Sequence, residues 1–152
     1  MKIDKFDVKI LNILANDGRI SWRELADTIG LSLTPTLRRV RLLEERGYIQ
    51  GYIARLDEAR LGGGLVVFVS VAMDKQALEA LTHFEERIAQ VPEVMSCFLM
   101  TGDADYLLRV VVKDLHNYQA FLTNTLTRIP GVAHIKSSFA LKTVLMRNAP
   151  PL

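Results

Sequence analysis

Residues 21–47, SWRELADTIGLSLTPTLRRVRLLEERG, carry two helical patterns separated by too few residues for anything but a sharp turn. Ser21 is a favourable N-cap, and Glu24 follows at the capping-box spacing, so each side chain can accept from the other's backbone amide. Leu25, Ala26 and Ile29 recur at helical spacing until Gly30, a residue that tolerates the left-handed geometry at a helix C-terminus. The turn is confined to Gly30 and Leu31. Ser32 is placed to cap a second helix, Pro35 falls in its first turn, where a missing amide hydrogen costs little, and the helix runs to about Arg46 before Gly47 stops it. Upstream, Asp4 can cap a stretch in which Phe6, Ile10, Ile13 and Leu14 repeat at helical spacing, ending near residues 16–18. Three helices over residues 1–47 predict a small tri-helical, helix-turn-helix domain.

The third helix carries three arginines before its first acid. On a helical wheel Leu37, Val40 and Leu43 mark the buried side, Thr34 and Arg38 lie roughly opposite, and Arg39 and Arg41 flank them. Polar groups at the exposed N-terminal end of such a helix suit the reading of double-stranded DNA. Guanidinium is a planar fork that matches both guanine edges and phosphates. Thr34 and Arg38 are therefore expected at base edges and Arg39 and Arg41 at phosphates, and Ser32 and Thr36 complete the candidate DNA-binding set. Leu42 also points outward, with no role in DNA contact to assign it. An arginine cluster can equally be the solvated face of an amphipathic helix; here the caps, the turn and the apolar stripe favour a reading helix.

Composition limits the alternatives without selecting among them. A chain of 152 residues with 49% hydrophobic content can bury a core and is not a disordered one. The net charge of +2 divides as eleven Lys/Arg against nine Asp/Glu in residues 1–60, and eight against eight thereafter. That excess is too small to establish nucleic-acid binding by itself. One cysteine, Cys97, excludes an internal disulfide and a cysteine-based metal cage. With no signal-peptide pattern and no membrane-length apolar run, a cytoplasmic protein without membrane contact is expected.

After Gly47 the pattern changes. Residues 48–56, YIQGYIARL, alternate as a strand would, and Gly62, Gly63 and Gly64 interrupt the chain before the next apolar run, so residues 48–64 read as a strand and hinge. Residues 65–152 contain an internal repeat: QVPEV at 90–94 recurs as RIPGV at 128–132, each copy following an amphipathic helix and leading into a strand. Strands are expected at 65–73, 94–101, 106–112 and 132–140. Leu78, Leu81, Phe84 and Ile88 line one intervening helix; Tyr118, Phe121, Leu122, Thr125, Leu126 and Ile129 line the other, capped by Asp114. The order βαββαβ with right-handed crossovers gives a ferredoxin-like sheet with both helices on one face, and the whole chain is α+β. Alternating residues such as Val67, Val69 and Val71 are expected to form an apolar patch on the other face, which a second subunit would cover.

The chain resembles the Lrp/AsnC, or feast/famine, family of transcription regulators. The likeness covers nearly the whole length: DVKILNILANDGRIS, LSLTPTLRRVRLLEERGYIQGY, TGDADYLL and the IPGV before the last strand. Leu33, Ala104 and the run Ser137, Ser138, Phe139 depart from common family patterns. The resemblance implies an N-terminal helix-turn-helix domain joined to a ligand-sensing βαββαβ domain, called RAM. It also implies homodimers that assemble to octamers, with a small effector, commonly an amino acid, bound between dimers; no cofactor is expected.

The segment Thr101, Gly102, Asp103, Ala104, Asp105, Tyr106 lies between the two central strands. Hairpin chemistry alone accounts for Gly102 and Asp103, and strand packing can account for Tyr106. Yet exposed amides beside two carboxylates offer a zwitterion both things it needs, donors for its carboxylate and an acceptor for its ammonium. Asp105 is the expected ammonium partner. The resemblance further implies that this turn meets the last strand of a neighbouring subunit, which adds Ser138, Phe139 and Ala140 to the effector-binding set.

Asp103 and Asp105 fall short of the oxygen ligands that calcium prefers, and His83, His116 and His134 have no ligand spacing, so no metal is expected. No nucleophile or acid/base pair suggests catalysis, and Cys97 reads as a strand core residue. Trp22 is expected to pack against the first helix. A metabolite-binding or assembly module without a DNA role is the alternative for residues 61–152, and the intact segment 21–47 weighs against it.

Overall fold

The computed structural model describes residues 3–152. They divide into two compact units, residues 3–55 with 144–152, and residues 56–143. Residues 144–152 group with the helical unit, where Asn148 Nδ2 donates to the Ala15 carbonyl at 3.1 Å.

The helical unit contains α1 (Lys5–Asn16), α2 (Trp22–Ile29) and α3 (Leu33–Glu45). Both expected N-caps on the first two helices form. Asp4 accepts from the amides of Phe6 and Asp7 while the Asp7 side chain accepts from the Asp4 amide, and Ser21 and Glu24 make the same reciprocal pair. Gly30 takes φ of 77°, a left-handed conformation that lets the chain turn directly into α3. Ile10, Leu14, Leu25, Ile29, Val40 and Leu43 close the core between the helices. Residues 48–56 are not a strand. They have no ladder pairing, and Tyr52 returns to the helices, its hydroxyl donating to Glu44 Oε1 at 2.8 Å.

The second unit has the expected order, β1 (Leu65–Met73), α4 (Leu78–Ala89), β2 (Val94–Leu99), β3 (Tyr106–Val112), α5 (Leu115–Asn124) and β4 (Val132–Ala140), with a 3₁₀ turn at Leu126–Arg128. The sheet is antiparallel throughout in the order β2-β3-β1-β4, which is the ferredoxin-like arrangement. Val67, Val69 and Val71 do not form the outer patch. They are fully buried with Tyr106, Leu108, Val110, Phe84, Ile88, Tyr118 and Phe121, so they sit on the face that the helices cover. Alternation puts Phe68 and Ser70 of β1, Leu107 and Arg109 of β3, and Ser138 and Lys136 of β4 on the opposite face. That face is mixed, not uniformly apolar. Arg109 is held there by a two-pronged ion pair with Glu58 at 2.9 and 2.5 Å, and the guanidinium keeps the Glu58 carboxyl below its ordinary range.

The glycine run before β1 packs tightly where a hinge was expected. A Cβ on Gly63 would lie 2.5 Å from Val111 Cγ1 and 2.9 Å from the Glu58 carbonyl, and one on Gly64 would lie 2.7 Å from the Lys113 carbonyl. These glycines are needed for close approach to β3.

Candidate DNA-reading and effector sites

α3 buries Thr36, Val40 and Leu43. Thr36 is therefore removed from the DNA set: it is fully buried, and its hydroxyl donates to the Ser32 carbonyl at 2.9 Å, one turn back. Leu37, expected at the centre of the buried face, is only half-buried and lines an open groove with Thr34, Arg38, Arg41, Leu42 and Glu45. Thr34, Arg38 and Arg41 are exposed and recur at helical spacing on this outward face. Ser32 is also exposed, and as N-cap it makes no side-chain cap bond. Glu45 brings the first negative charge to the groove. A phosphate approaching the face is attracted at Arg38 and Arg41 and repelled at Glu45.

Arg39 does not belong to that row. Its guanidinium donates to Asp4 Oδ2 at 2.7 Å and Asp7 Oδ1 at 2.8 Å and lies 5.3 Å from the centre of the Phe6 ring. The two carboxylates, Asp7 first, raise the Arg39 pKa, and the Asp7 amide leads the causes that lower that of Asp4. The side chain expected at a phosphate is a tie between α3 and α1. Asp7 is only 4% exposed at its side chain, so Arg39→Ala leaves a buried carboxylate without its cation. A loss of about 1 to 2 kcal/mol is expected, below the cost of breaking a fully buried pair because Arg39 is partly solvated. Thermal melts measure it. At temperatures where the variant is folded, the salt dependence of DNA binding should match wild type; a flatter slope would restore Arg39 as a phosphate contact.

Trp22 is 39% exposed at the first turn of α2, short of the packed position expected for it.

The turn between β2 and β3 is open at its tip. Gly102 has φ of 109°, and among the described residues the amides of residues 101–104 make no hydrogen bond with the protein. Thr101, Gly102 and Asp103 are exposed and Ala104 is half-buried. Asp105 differs from its neighbours in being buried, and both of its oxygens are occupied, Oδ2 by the Met73 amide at 2.6 Å and Oδ1 by Gln76 Nε2 at 2.7 Å. It thus fastens the hairpin to the end of β1. A carboxylate oxygen has more than one lone pair, so these bonds leave capacity for a further donor. Gln76, outside the turn in sequence, is the member of this cluster that periodicity could not reveal.

Tyr106 turns the other way. Its ring stacks on Phe84 at 4.5 Å between centroids and its hydroxyl donates to Glu85 Oε1 at 2.6 Å; burial first, then Glu85, raises its pKa. Its side chain is a core element and only its backbone belongs to the turn. Phe139 likewise lies on the helix-covered side, edge-on to Tyr118, while Ser138 and Ala140 lie on the opposite side of β4. One chain does not unite the two halves of the expected site. Tyr106 pairs with Val71 and Ala140 with Val66, so the ends are separated by five positions of β1, roughly 16 Å at strand rise, and lie on opposite sides of that strand.

Among the described residues no cluster of His, Cys, Asp or Glu could hold a metal ion. Cys97 is half-buried on β2, its thiol pushed up to about 11 by burial and then by Glu85. No helix among the described residues is long and apolar enough to cross a membrane.

Two family models match the two halves: a winged helix-turn-helix DNA-binding model over residues 3–50, and the Lrp/AsnC ligand binding domain over residues 66–150. The chain belongs to the Lrp/AsnC family. This family member is 70% identical over 151 residues to the Bkd operon transcriptional regulator of Pseudomonas aeruginosa, with 99% of each chain covered. It is 40% identical to the leucine-responsive regulatory protein of Escherichia coli, covering 96% of this chain and 89% of that one. Among solved structures, a transcriptional regulator from Neisseria meningitidis in complex with L-Met superposes with a TM-score of 0.94 at 36% identity, covering 99% of this chain and 97% of that one. An AsnC family regulator from Agrobacterium tumefaciens gives 0.93 at 37%, with 98% and 97% covered. The Lrp/AsnC chain is a DNA-binding transcription regulator built from a helix-turn-helix domain and a ligand-binding domain.

Proposed function

We propose that α3 reads operator DNA through Thr34 and Arg38 at base edges and Arg41 and Ser32 at phosphates, under the control of an amino acid bound by the ligand domain. The observation that carries the DNA half is the exposed row Thr34, Arg38, Arg41 on a helix whose opposite face is the core. The effector lies at residues 101–105, its carboxylate on the open amides of the turn and its ammonium on Asp105. Ser138 and Ala140 of a second copy close the site, because β4 of the same chain is too far away. Phe68, Phe98 and Leu107 on the uncovered sheet face favour pairing of two copies as the minimum unit, with octamers as the larger assembly. The protein acts by binding and has no catalytic role. It works in the cytoplasm, where its DNA is.

A thermal-shift screen with the proteinogenic amino acids, L-methionine among the first, tests the effector reading. A ligand at 100 times its Kd stabilises the native state by about 2.7 kcal/mol. One or a few amino acids should raise the melting temperature, and light scattering at micromolar concentration should give at least a dimeric mass. No shift from any amino acid would move the assignment to another effector class. A monomeric mass would remove the shared site.

A further inference from the structure

Phe6, half-buried in the first turn of α1, is approached by three cations. Arg39 Cζ stands 5.3 Å from the ring centroid, Lys5 Nζ 5.2 Å and Lys9 Nζ 6.0 Å. Arg39 is engaged by Asp4 and Asp7, whereas neither lysine forms an ion pair among the described residues. Both lysines are exposed. Three cations against two carboxylates leave this cluster with an excess positive charge. Local stability does not account for Lys5, because a cation in the first turn opposes the positive end of the helix dipole. The ring instead supplies an electron-rich face beside which both lysine ammoniums sit while remaining exposed to water.

This cluster adjoins the reading helix. Arg39 projects from α3 to Asp4 and Asp7 at the start of α1, so the Phe6 ring and its lysines lie along the flank of the helix that exposes Arg38 and Arg41. Packed helices stand about 8 to 10 Å apart and the major groove is about 12 Å wide. A helix flanking one seated in the groove therefore lies over a phosphate ridge.

The geometry points to α1 as a second DNA contact: Lys5 and Lys9, seated on Phe6, hold the phosphodiester backbone beside the base pairs that α3 reads. The contact rests on the reading of α3 proposed above. An ammonium is a point charge with rotatable donors, and phosphates are alike in every sequence, so these lysines supply affinity and register but no sequence preference.

The test uses the full chain with Lys5→Gln and Lys9→Gln together. Its probes are a duplex enriched from a random-sequence library by the wild-type protein and a scrambled duplex of equal composition. Each phosphate contact contributes about 0.9 to the slope of log affinity against log salt, so the double variant should lose about 1.8 from the slope for each DNA-bound subunit, on both duplexes. The ratio of the two affinities should stay at the wild-type value, and Lys5→Arg with Lys9→Arg should restore the slope. If the slope is unchanged in the glutamine variant but falls in Arg41→Ala, the α3 reading stands and the α1 contact is overturned. If neither variant moves it, the α3 reading fails and the α1 contact with it. A changed affinity ratio would also overturn a phosphate role. Superimposable circular dichroism melts for the glutamine variant and wild type show that the slope reports contact and not unfolding.

Discussion

Arg38→Ala is expected to weaken binding to the preferred duplex by about 5- to 150-fold, the equivalent of 1 to 3 kcal/mol for one good bidentate base contact. Discrimination against a scrambled duplex should fall by a similar factor, because a lost base contact costs only where the right base is present. The side chain is exposed on the outward face of α3 and makes no ion pair among the described residues, so the melting temperature should hardly change. Arg41→Ala provides the contrast. As a phosphate contact it should weaken both duplexes equally and remove about 0.9 from the salt slope for each DNA-bound subunit. Fluorescence anisotropy titrations at several salt concentrations separate the two behaviours. If Arg38→Ala keeps wild-type affinity on its preferred duplex, base reading must lie elsewhere on the helix.

The second large effect is expected at Asp105, where two substitutions part stability from ligand binding. Asp105→Ala removes the acceptor for the Met73 amide, and leaving that buried donor unpaired costs about 1 to 3 kcal/mol. For a domain of this size each kcal/mol lowers the melting temperature by about 4 to 8 °C. Asp105→Asn is milder. Its remaining oxygen can still accept from Met73, and its new amino group can donate to Gln76 once that exposed side chain presents its carbonyl. What asparagine cannot replace is the negative charge opposite an ammonium. The asparagine variant should therefore melt within about 1 kcal/mol of wild type, the scale of one net hydrogen bond, while losing the effector. Its DNA binding without effector should persist and its response to effector should vanish. Calorimetry with the amino acid found in the thermal-shift screen measures the affinity; equal values for wild type and Asp105→Asn would reduce Asp105 to a fastener of the hairpin.

The elements of both units were legible in the sequence because each arises from short-range chemistry. Asp4, Ser21 and Asp114 cap helices by bonds to amides two or three residues away, Gly30 turns the chain by its own φ, and the spacing of apolar residues marks each helix and strand. The candidate sites were legible only as groups of residues near one another in sequence. Which members are available depended on partners far along the chain. Arg39 meets Asp7 across 32 residues and Asp105 meets Met73 across another 32, and nothing in local periodicity encodes either pairing. Thr36 looked polar and outward by residue type, yet one hydrogen bond to its own helix allows it to be buried.

The same division holds for the faces of the sheet. Alternation in residues 65–73 establishes a two-sided strand, but not which side the helices will take, and a shift of one residue exchanges the two sides. The sequence by itself determined the helices, the four strands of the sheet, their order and the helix-turn-helix, since these rest on periodicity, capping and chain connectivity, while the strand expected at 48–56 found no partner to pair with. Only the tertiary structure decided that Val67, Val69 and Val71 face inward, that Gly63 and Gly64 are packed against β3, and that Arg39 and Tyr106 support the fold. Those outcomes depend on which surfaces meet, and that is decided when distant segments compete for the same buried space.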